Sequence, residues 1–489
     1  MIQHFMRVCM AHTTPNNNLQ AIVLAAGKSS RFKTGTTKLL EKICGQEIVL
    51  YSAKLLEHLN IPTTFVVGFH RQAIQDALVN GVHHELSFAV QEQQLGTGHA
   101  IICSKSTWFA ENILIINGDV PLVTAEIINE LYTQHQTTNA GLSFVTAHNA
   151  DPSAQGYGRI VKDGNSIEIV EARDFKGDTH QHCCINAGIY IVKRSLLDEA
   201  LAQLTANATT QEFYFTDIVK IAHRKGHTVT TTVAPFDLIR GINTIQELWV
   251  SQQIKRAEII KYWMEQGIQF SAPQNAHIDI GVTIGSGTRI ASGVQLLGAT
   301  TLGTNCTIHE FCILEDSTIA DNTTIYSHSI IRNSHIGSHT QIGPFAHIHH
   351  ASTVDSHVII GNFVELKNSC VGAHTKAKHL TYLGDAQIGS HVNIGAGTIT
   401  CNHNGSTKNT TVIHDHAYVG SNNSLVAPLT IGQNAFTAAG STITQDVPAD
   451  ALALGRAHQV NKENYAHKLR NTQQTQHAPK TPPLPEQPL

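Results

Sequence analysis

The chain has 489 residues, 41% hydrophobic and 14% charged, which is long enough for two to four domains and too apolar for wholesale disorder. Lysine and arginine number 33 against 37 aspartates and glutamates, and a formal net charge of −4 excludes the basic surface usual in nucleic-acid-binding proteins. No apolar run reaches the roughly 18 residues of a membrane-spanning helix, so no membrane partner is expected. The nine cysteines are odd in number and form no CxxC, which predicts reduced thiols in a cytoplasmic protein rather than a disulfide framework or a zinc ribbon. The start, MIQHFMRVCMAHTTPNNNLQ, has one base, Arg7, and too many polar breaks for a secretory signal.

In chain order, residues 1–19 read as a ragged extension. From Gln20 to Asn243, apolar segments (AIVLAAG at 21–27, TTFVVG at 63–68, LSFAV at 86–90, ENILIING at 111–118, GLSFVTA at 141–147) alternate with helix-like stretches at 47–59, 70–79, 98–109 and 124–137. That alternation predicts an α/β domain with a mostly parallel sheet covered on both faces, and a ligand site at the carboxyl ends of its strands. Residues 244–268 read as one linking helix. From 269 to 460, aliphatic-glycine pairs recur six and eighteen residues apart, as in Ile336-Gly337 and Ile342-Gly343, or Ile342-Gly343 and Ile360-Gly361. A hexapeptide repeat with three strands per coil, a parallel β-helix, follows. Two stretches, 365–383 and 401–411, break the repeat and are expected to project as functional loops. The tail 461–489 carries five prolines after Asn471 and is expected to lose regular structure from about there.

Three motifs carry chemistry. LAAGKSSRFKTGTTKLL (24–40) follows a strand and precedes a helix. It is neither a Walker A loop nor GxGxxG, yet Gly27 frees backbone N–H groups and Lys28, Arg31 and Lys38 supply cations suited to a triphosphate. NGDVPL (117–122) ends a strand with Asp119, placed to hold Mg²⁺ beside phosphates. QLGTGHA (94–100) is a Gly-rich turn that lets backbone approach a flat base.

Taken in order, LAAGKSSR, Lys38, QLGTGHA, NGDVPL, GYGRIV (156–161), IVEARD (169–174), INAGIY (185–190), KAKHLTYLGD (376–385) and NIGAGTITCN (393–402) resemble the bacterial bifunctional N-acetylglucosamine-1-phosphate uridylyltransferase/glucosamine-1-phosphate acetyltransferase family over roughly residues 20–460. The resemblance implies a Rossmann-like nucleotidyltransferase domain followed by a left-handed parallel β-helix that forms a homotrimer. The left hand contradicts the usual crossover rule and is not derivable from spacing. It implies small-molecule partners: UTP, amino-sugar phosphates and acetyl-CoA. Arg31 and Lys38 would hold the triphosphate. Leu24, Ala25, Gly27, Gln91, Gly96 and Thr97 would meet the uridine nucleotide, Asp119 and Asn243 would ligate Mg²⁺, and Gly158, Glu171 and Asn186 would contact the sugar. In the second domain His379 would be the base. His349, Lys367, Tyr382, Asn393 and Lys408 would form the sugar-phosphate site. Ala396, Asn402, His403, Ser421, Ala439 and Arg456 would form the coenzyme site, with backbone at Ala396 facing the developing oxyanion.

Three residues depart from the family pattern. Asn117 stands where a tyrosine is frequent, and His403 where an aromatic often follows Asn402. His349 replaces an arginine that grips the sugar phosphate. A histidine makes no bidentate clamp, a loss of about 1.5–3 kcal/mol in binding, the range for a charged hydrogen bond. The alternatives are a monofunctional uridylyltransferase whose β-helix is a trimerisation scaffold, an ADP-glucose-type nucleotidyltransferase with a regulatory β-helix, and a non-catalytic binding protein.

Overall fold

The computed structural model describes residues 18–29, 31–32, 35–148, 156–163, 166–178 and 183–476. Most of the expected N-terminal extension, and the tail beyond Gln476, lie outside the described residues.

The first domain is a sheet whose strands run, in spatial order, Val229–Val233, Leu142–His148, Cys184–Lys193, Asn112–Asn117, Leu19–Ala25, Thr63–Val67 and Leu86–Val90. All neighbours are parallel except Cys184–Lys193, which runs against both of its own. Strand side chains alternate between faces, and here both faces are apolar. Ala21, Val23, Phe65, Val67, Leu114 and Ile116 pack into one core, whereas Ile22, Val66, Ile113 and Ile115 pack into the other. Helices Ile48–His58, Arg71–Gly81 and Ala125–Thr137 form near their expected bounds. The helix expected at 98–109 is shorter, Thr97–Cys103 with a 3₁₀ turn at Lys105–Thr107. Buried Ser104 interrupts it, because its hydroxyl bonds Ile101 O and accepts from Trp108 Nε1.

Helix Ile245–Glu265 leads out of the domain, started by a capping box between Thr244 and Glu247. Its Trp263 and Ile259 are buried, and Arg256 donates to the carbonyls of Gln274 and Ala276 at the first coil. The N–H of Ile280 donates to Cys44 O (2.9 Å), tying the coil to the first domain.

The second domain is the left-handed parallel β-helix. Strands of two or three residues stack in parallel register with a rise of 18 or 17 residues per coil, as in Thr283↔Thr301 and Thr301↔Thr318. One inward column runs Ile284, Leu302, Ile319, Ile336, Val354, Val371, Ile388, Ile413, Ile431, all buried. Truncating such a side chain to alanine costs about 2–5 kcal/mol. At one corner the chain turns through the left-handed region at Asn305, Asn322, His339, His357, His374, His391, His416 and Asn434 (φ 54–61°).

The expectation that 365–383 projects as a loop is wrong. The segment lies in coil strands Ile359–Lys367, Cys370–Val371 and Lys376–Gly384, and the two long strands pair from Ile359↔Lys376 to Lys367↔Gly384. Its inward residues Leu366, Val371, Ala377 and Leu383 stay buried; the pair Val371-Gly372 marks the repeat there, while Leu366, Ala377 and Leu383 are followed by Lys367, Lys378 and Gly384. The stretch 401–411 does project. Pairing jumps from a rise of 17 to one of 25 at Gln387↔Val412, an insertion held at its neck by a His403–Lys408 bridge. The tail is helical over Tyr465–Gln476, past the expected limit of order near 471. Helix-breaking proline first occurs at Pro479.

Candidate functional site

In the first domain the site lies at the carboxyl ends of the neighbouring strands Asn112–Asn117 and Leu19–Ala25 and of Leu86–Val90, which is separated from them by Thr63–Val67. Asp119 follows Asn112–Asn117. Its carbonyl accepts the N–H of Ile242 (3.0 Å), which draws the segment 241–243 alongside it. Asn243 is fixed in turn because Glu247 Oε2 accepts its N–H (2.7 Å). Lys38 Nζ then sits 2.5 Å from Asp119 Oδ2 and 2.8 Å from Asn243 Oδ1, and Arg31 Nη2 donates to the same Asn243 oxygen (2.8 Å). Four residues spread over more than 200 positions thus meet at one point, with Lys38 and Asp119 largely buried. A carboxylate oxygen and an amide oxygen already converge on a cation there, so the donor set fits a hard divalent ion.

Tyr157, which sequence reasoning missed, closes this corner. Its hydroxyl accepts the N–H of Gly241 (2.7 Å), and burial pushes its pKa up to about 12, against the lowering effect of that hydrogen bond. Gly27 and Lys28 are exposed at the rim, beside Leu24 and Ala25.

Gln91 is buried at the end of its strand and donates through Nε2 to Gly96 O (3.1 Å). Gly96 has φ 98°, and a Cβ there would lie 2.6 Å from Phe213 O, so this approach needs glycine. Thr97 Oγ1 accepts the N–H of Phe215 (3.1 Å). Gly158, Glu171 and Asn186 form a second group. Asn186 N–H donates to Gly158 O (3.0 Å), and Glu171 Oε1 accepts from Thr216 Oγ1 (2.7 Å). Burial raises the Glu171 carboxyl above its ordinary range despite that bond. Asn117 faces Gly188 (φ 72°), where a Cβ would approach Asn117 Nδ2 to 2.4 Å.

In the β-helix the predicted residues fall into separate places within one chain. His379 is exposed at a corner, its Nδ1 2.8 Å from Asn362 Oδ1 one coil away. It borders an open cavity of about 350 Å³ lined also by Pro344, Phe345, Ile359, Asn362 and Phe363. The coil beyond His379 carries Ala396, next to Gly397, whose N–H donates to Leu380 O (2.9 Å). On the next strand face His349 pairs in register with Lys367, and Glu365 with Tyr382. Asn393 instead pairs with Lys376 and Tyr418, away from that group. Asn402 is buried and donates to Asp385 Oδ2 (2.5 Å), while Asn368 donates to Asp385 Oδ1 (2.6 Å). Burial works to raise the Asp385 pKa, but these two bonds and the charges of Lys408 and Lys367 hold it below its ordinary value. Lys408 and His403 are exposed on the projecting loop. Ser421, Ala439 and Arg456 follow on the last coils, where Arg456 Nη1 donates to Ala439 O (2.9 Å).

Asn362, Glu365, His347 and Asp385 were not among the predicted residues. For two of them the signal was present, since Asn362 is in register with His379 and Glu365 with Tyr382, 17 residues on; His347 is in register with Glu365 and with no predicted residue, and Asp385 meets Asn402 and Lys367 through hydrogen bonds.

The sequence profile of the MobA-like NTP transferase domain matches residues 21–219, and that of the GMPPB C-terminal domain matches residues 278–379. The chain is 40% identical over 455 residues to the bifunctional protein GlmU of Geotalea uraniireducens, covering 92% of this chain and 99% of that protein. It is 39% identical over 481 residues to GlmU of Geobacter sulfurreducens, covering 94% and 100%. Against GlmU of Halalkalibacterium halodurans it is 37% identical over 460 residues, covering 93% and 100%.

Proposed function

The chain belongs to the family of the bifunctional protein GlmU and is a sugar-1-phosphate uridylyltransferase and amino-sugar N-acetyltransferase; we propose the following assignment of residues to its two reactions. The likeness spans both domains, which favours the bifunctional reading over a β-helix that is scaffold alone.

In the first domain the phosphate of N-acetylglucosamine 1-phosphate attacks the α-phosphorus of UTP and pyrophosphate leaves. Positioning and charge neutralisation carry such a step. Arg31 and Lys38 hold the triphosphate. Backbone at Leu24, Ala25 and Gly27, with Gln91, Gly96 and Thr97, takes the nucleoside. Gly158, Glu171 and Asn186 take the sugar. Asp119 and Asn243 would hold Mg²⁺, which when bound neutralises phosphate charge. The observation that carries this reading is the convergence of Lys38, Asp119, Asn243 and Arg31 on one point.

In the second domain the amine of glucosamine 1-phosphate attacks the acetyl thioester. His379 takes the amine proton as the C–N bond forms, and passes it to the departing thiolate as the C–S bond breaks. Backbone at Ala396 faces the oxyanion. His349, Lys367, Tyr382, Asn393 and Lys408 take the sugar phosphate, and Asn402, His403, Ser421, Ala439 and Arg456 the coenzyme.

That Asn393 and His379 stand apart from the His349 group within one chain supports a homotrimer that completes each site across a subunit boundary. A ridge of exposed side chains beside the His379 cavity (Phe311, Phe345, Phe363 and Leu380) supports it too, since apolar ridges mark association surfaces. Among the described residues no helix is long and apolar enough to cross a membrane, in keeping with a cytoplasmic enzyme that acts on small molecules.

The test is acetyl transfer to glucosamine 1-phosphate without UTP, read by product mass. His379→Ala is the control. Product from the parent and none from the variant supports the assignment. Equal product from both removes it.

A further inference from the structure

Five histidines of the β-helix share one structural explanation, and His347 and His349 fall outside it. His339, His357, His374, His391 and His416 occupy left-handed turn positions and stack face to face with ring centroids 4.7–4.9 Å apart. His347 and His349 do not belong to that set. They sit in strand His347–His349, flanking the inward Ile348, with their side chains on the same outer face. Their rings are parallel and 4.1 Å apart. The coil above sets Glu365 opposite His347 and Lys367 opposite His349. His349 Nε2 lies 3.1 Å from Glu365 Oε1, and one donor atom from each of His347, His349 and Glu365 falls within 4.8 Å of the others.

We propose that His347, His349 and Glu365 bind one divalent transition-metal ion of the Zn²⁺ class, whose open coordination positions take the phosphate of the amino-sugar substrate. The substrate half of this rests on the acetyl-transfer reading above. Two imidazoles and one carboxylate form a donor set that suits zinc and leaves a position open for an exogenous ligand. Tetrahedral coordination at about 2.0–2.2 Å puts ligand atoms roughly 3.4 Å apart, so small side-chain rotations close the set. His350 Nδ1 is hydrogen-bonded to His349 Nδ1, which holds that ring's orientation as supporting residues do around bound metals. The ion would take the place of the hydrogen bond between His349 Nε2 and Glu365 Oε1, leaving the ring's proton on Nδ1, toward His350. Arg332, the cation one coil below, is engaged by Glu315 (2.9 Å). Lys367, beside His349, adds a second positive contact for a phosphate. A metal ion would thereby supply the strong anion grip that an imidazole at position 349, with no bidentate fork, lacks.

The test uses full-length protein stripped with chelator, desalted, and titrated with Co²⁺ as a spectroscopic stand-in while excess Mg²⁺ covers all-oxygen sites. Expected are saturable visible ligand-field bands at one Co²⁺ per chain. They should be lost in His347→Asn and in Glu365→Gln, and kept in the turn variant His374→Asn. Uridylyl transfer and an unchanged sedimentation coefficient certify that the variants fold. No saturable band, or a band that survives both variants and vanishes in His374→Asn, overturns the site. In the second arm the KM for glucosamine 1-phosphate should rise roughly tenfold or more on stripping and recover with Zn²⁺. An unchanged KM with the cobalt site intact overturns the phosphate role. Absence of acetyl transfer with or without Zn²⁺, again with the cobalt site intact, refutes the acetyl-transfer reading and leaves a metal site of another use.

Discussion

His379 Nδ1 and Asn362 Oδ1 face each other at 2.8 Å across adjacent coils, in direct register. A neutral imidazole that donates its Nδ1–H to the amide oxygen keeps Nε2 free as a base. His379→Ala should therefore lower acetyl transfer by about 10²–10⁴-fold, the usual worth of a general base. Asn362→Ala should lower kcat less and leave the KM for acetyl-CoA near its parent value, because it removes orientation and not the base. Neither should alter uridylyl transfer. Parent-level acetylation by His379→Ala would sink the assignment.

The first site predicts the opposite split. Lys38 Nζ bridges Asp119 and Asn243. Lys38→Ala should cut uridylyl transfer by roughly 10²–10³-fold, as the loss of an oriented charge at a phosphoryl centre does, and spare acetyl transfer. Asp119→Asn should keep the geometry and remove the anionic ligand, so the Mg²⁺ needed for half-maximal rate should rise. A Mg²⁺ titration of both proteins decides it. An unmoved midpoint would take Asp119 out of the metal site.

These two sites were legible to different degrees, for a physical reason. Arg31 and Asp119 follow strand ends and Lys38 opens the 3₁₀ turn Lys38–Leu40, all within short motifs where residue type and position announce themselves. Asn243 in isolation reads only as a helix start, and its contact with Lys38 spans 205 residues that no local pattern encodes. In the β-helix, period and inward residues were readable from aliphatic-glycine pairs. At 365–383, where Val371-Gly372 is the one aliphatic-glycine pair and lysines follow Leu366 and Ala377, the same coil read as a loop, although Leu366, Ala377 and Leu383 hold the register. Asn362, His347 and Glu365 went unseen because strand neighbours in a solenoid are a full coil apart in sequence. The separation of Asn393 from His349 was invisible for a like reason, since it depends on which face of the coil each strand occupies.

A pH effect on stability follows from His135. It is buried, with Nδ1 2.8 Å from Ser143 Oγ and Nε2 3.1 Å from Asn112 Oδ1. Burial, with a smaller effect from Lys193, lowers its pKa from 6.5 to about 4. The unfolded chain thus binds a proton that the folded one refuses between those values. The stability due to the neutral ring is complete above about pH 6.5, falls as pH drops toward 4, and is level below that. Denaturant unfolding of the first domain at about pH 7.5 and about pH 5 should show a loss that His135→Gln reduces. An identical slope in the variant would assign the loss to other groups.

The stacked histidines give the last prediction. His374 lies in the middle of the column that starts with Asn305 and Asn322 and ends with Asn434, all with φ between 54° and 61°. Each also donates its N–H to a carbonyl one coil back, as His374 does to Ser356 O (3.1 Å) and Asn322 to Thr304 O (2.9 Å). The backbone therefore sets the residue type. Asparagine and histidine tolerate the left-handed region, whereas a β-branched side chain clashes with its own carbonyl there. His374→Asn should keep the thermal midpoint of the β-helix near its parent value, losing only exposed ring stacking with His357 and His391. His374→Val should cost about 1–2 kcal/mol, the penalty for forcing such a residue into that conformation. The comparison separates conformation from stacking. Equal loss in both variants would mean that the rings hold the column together, and equal tolerance would mean that the coil absorbs the strain elsewhere.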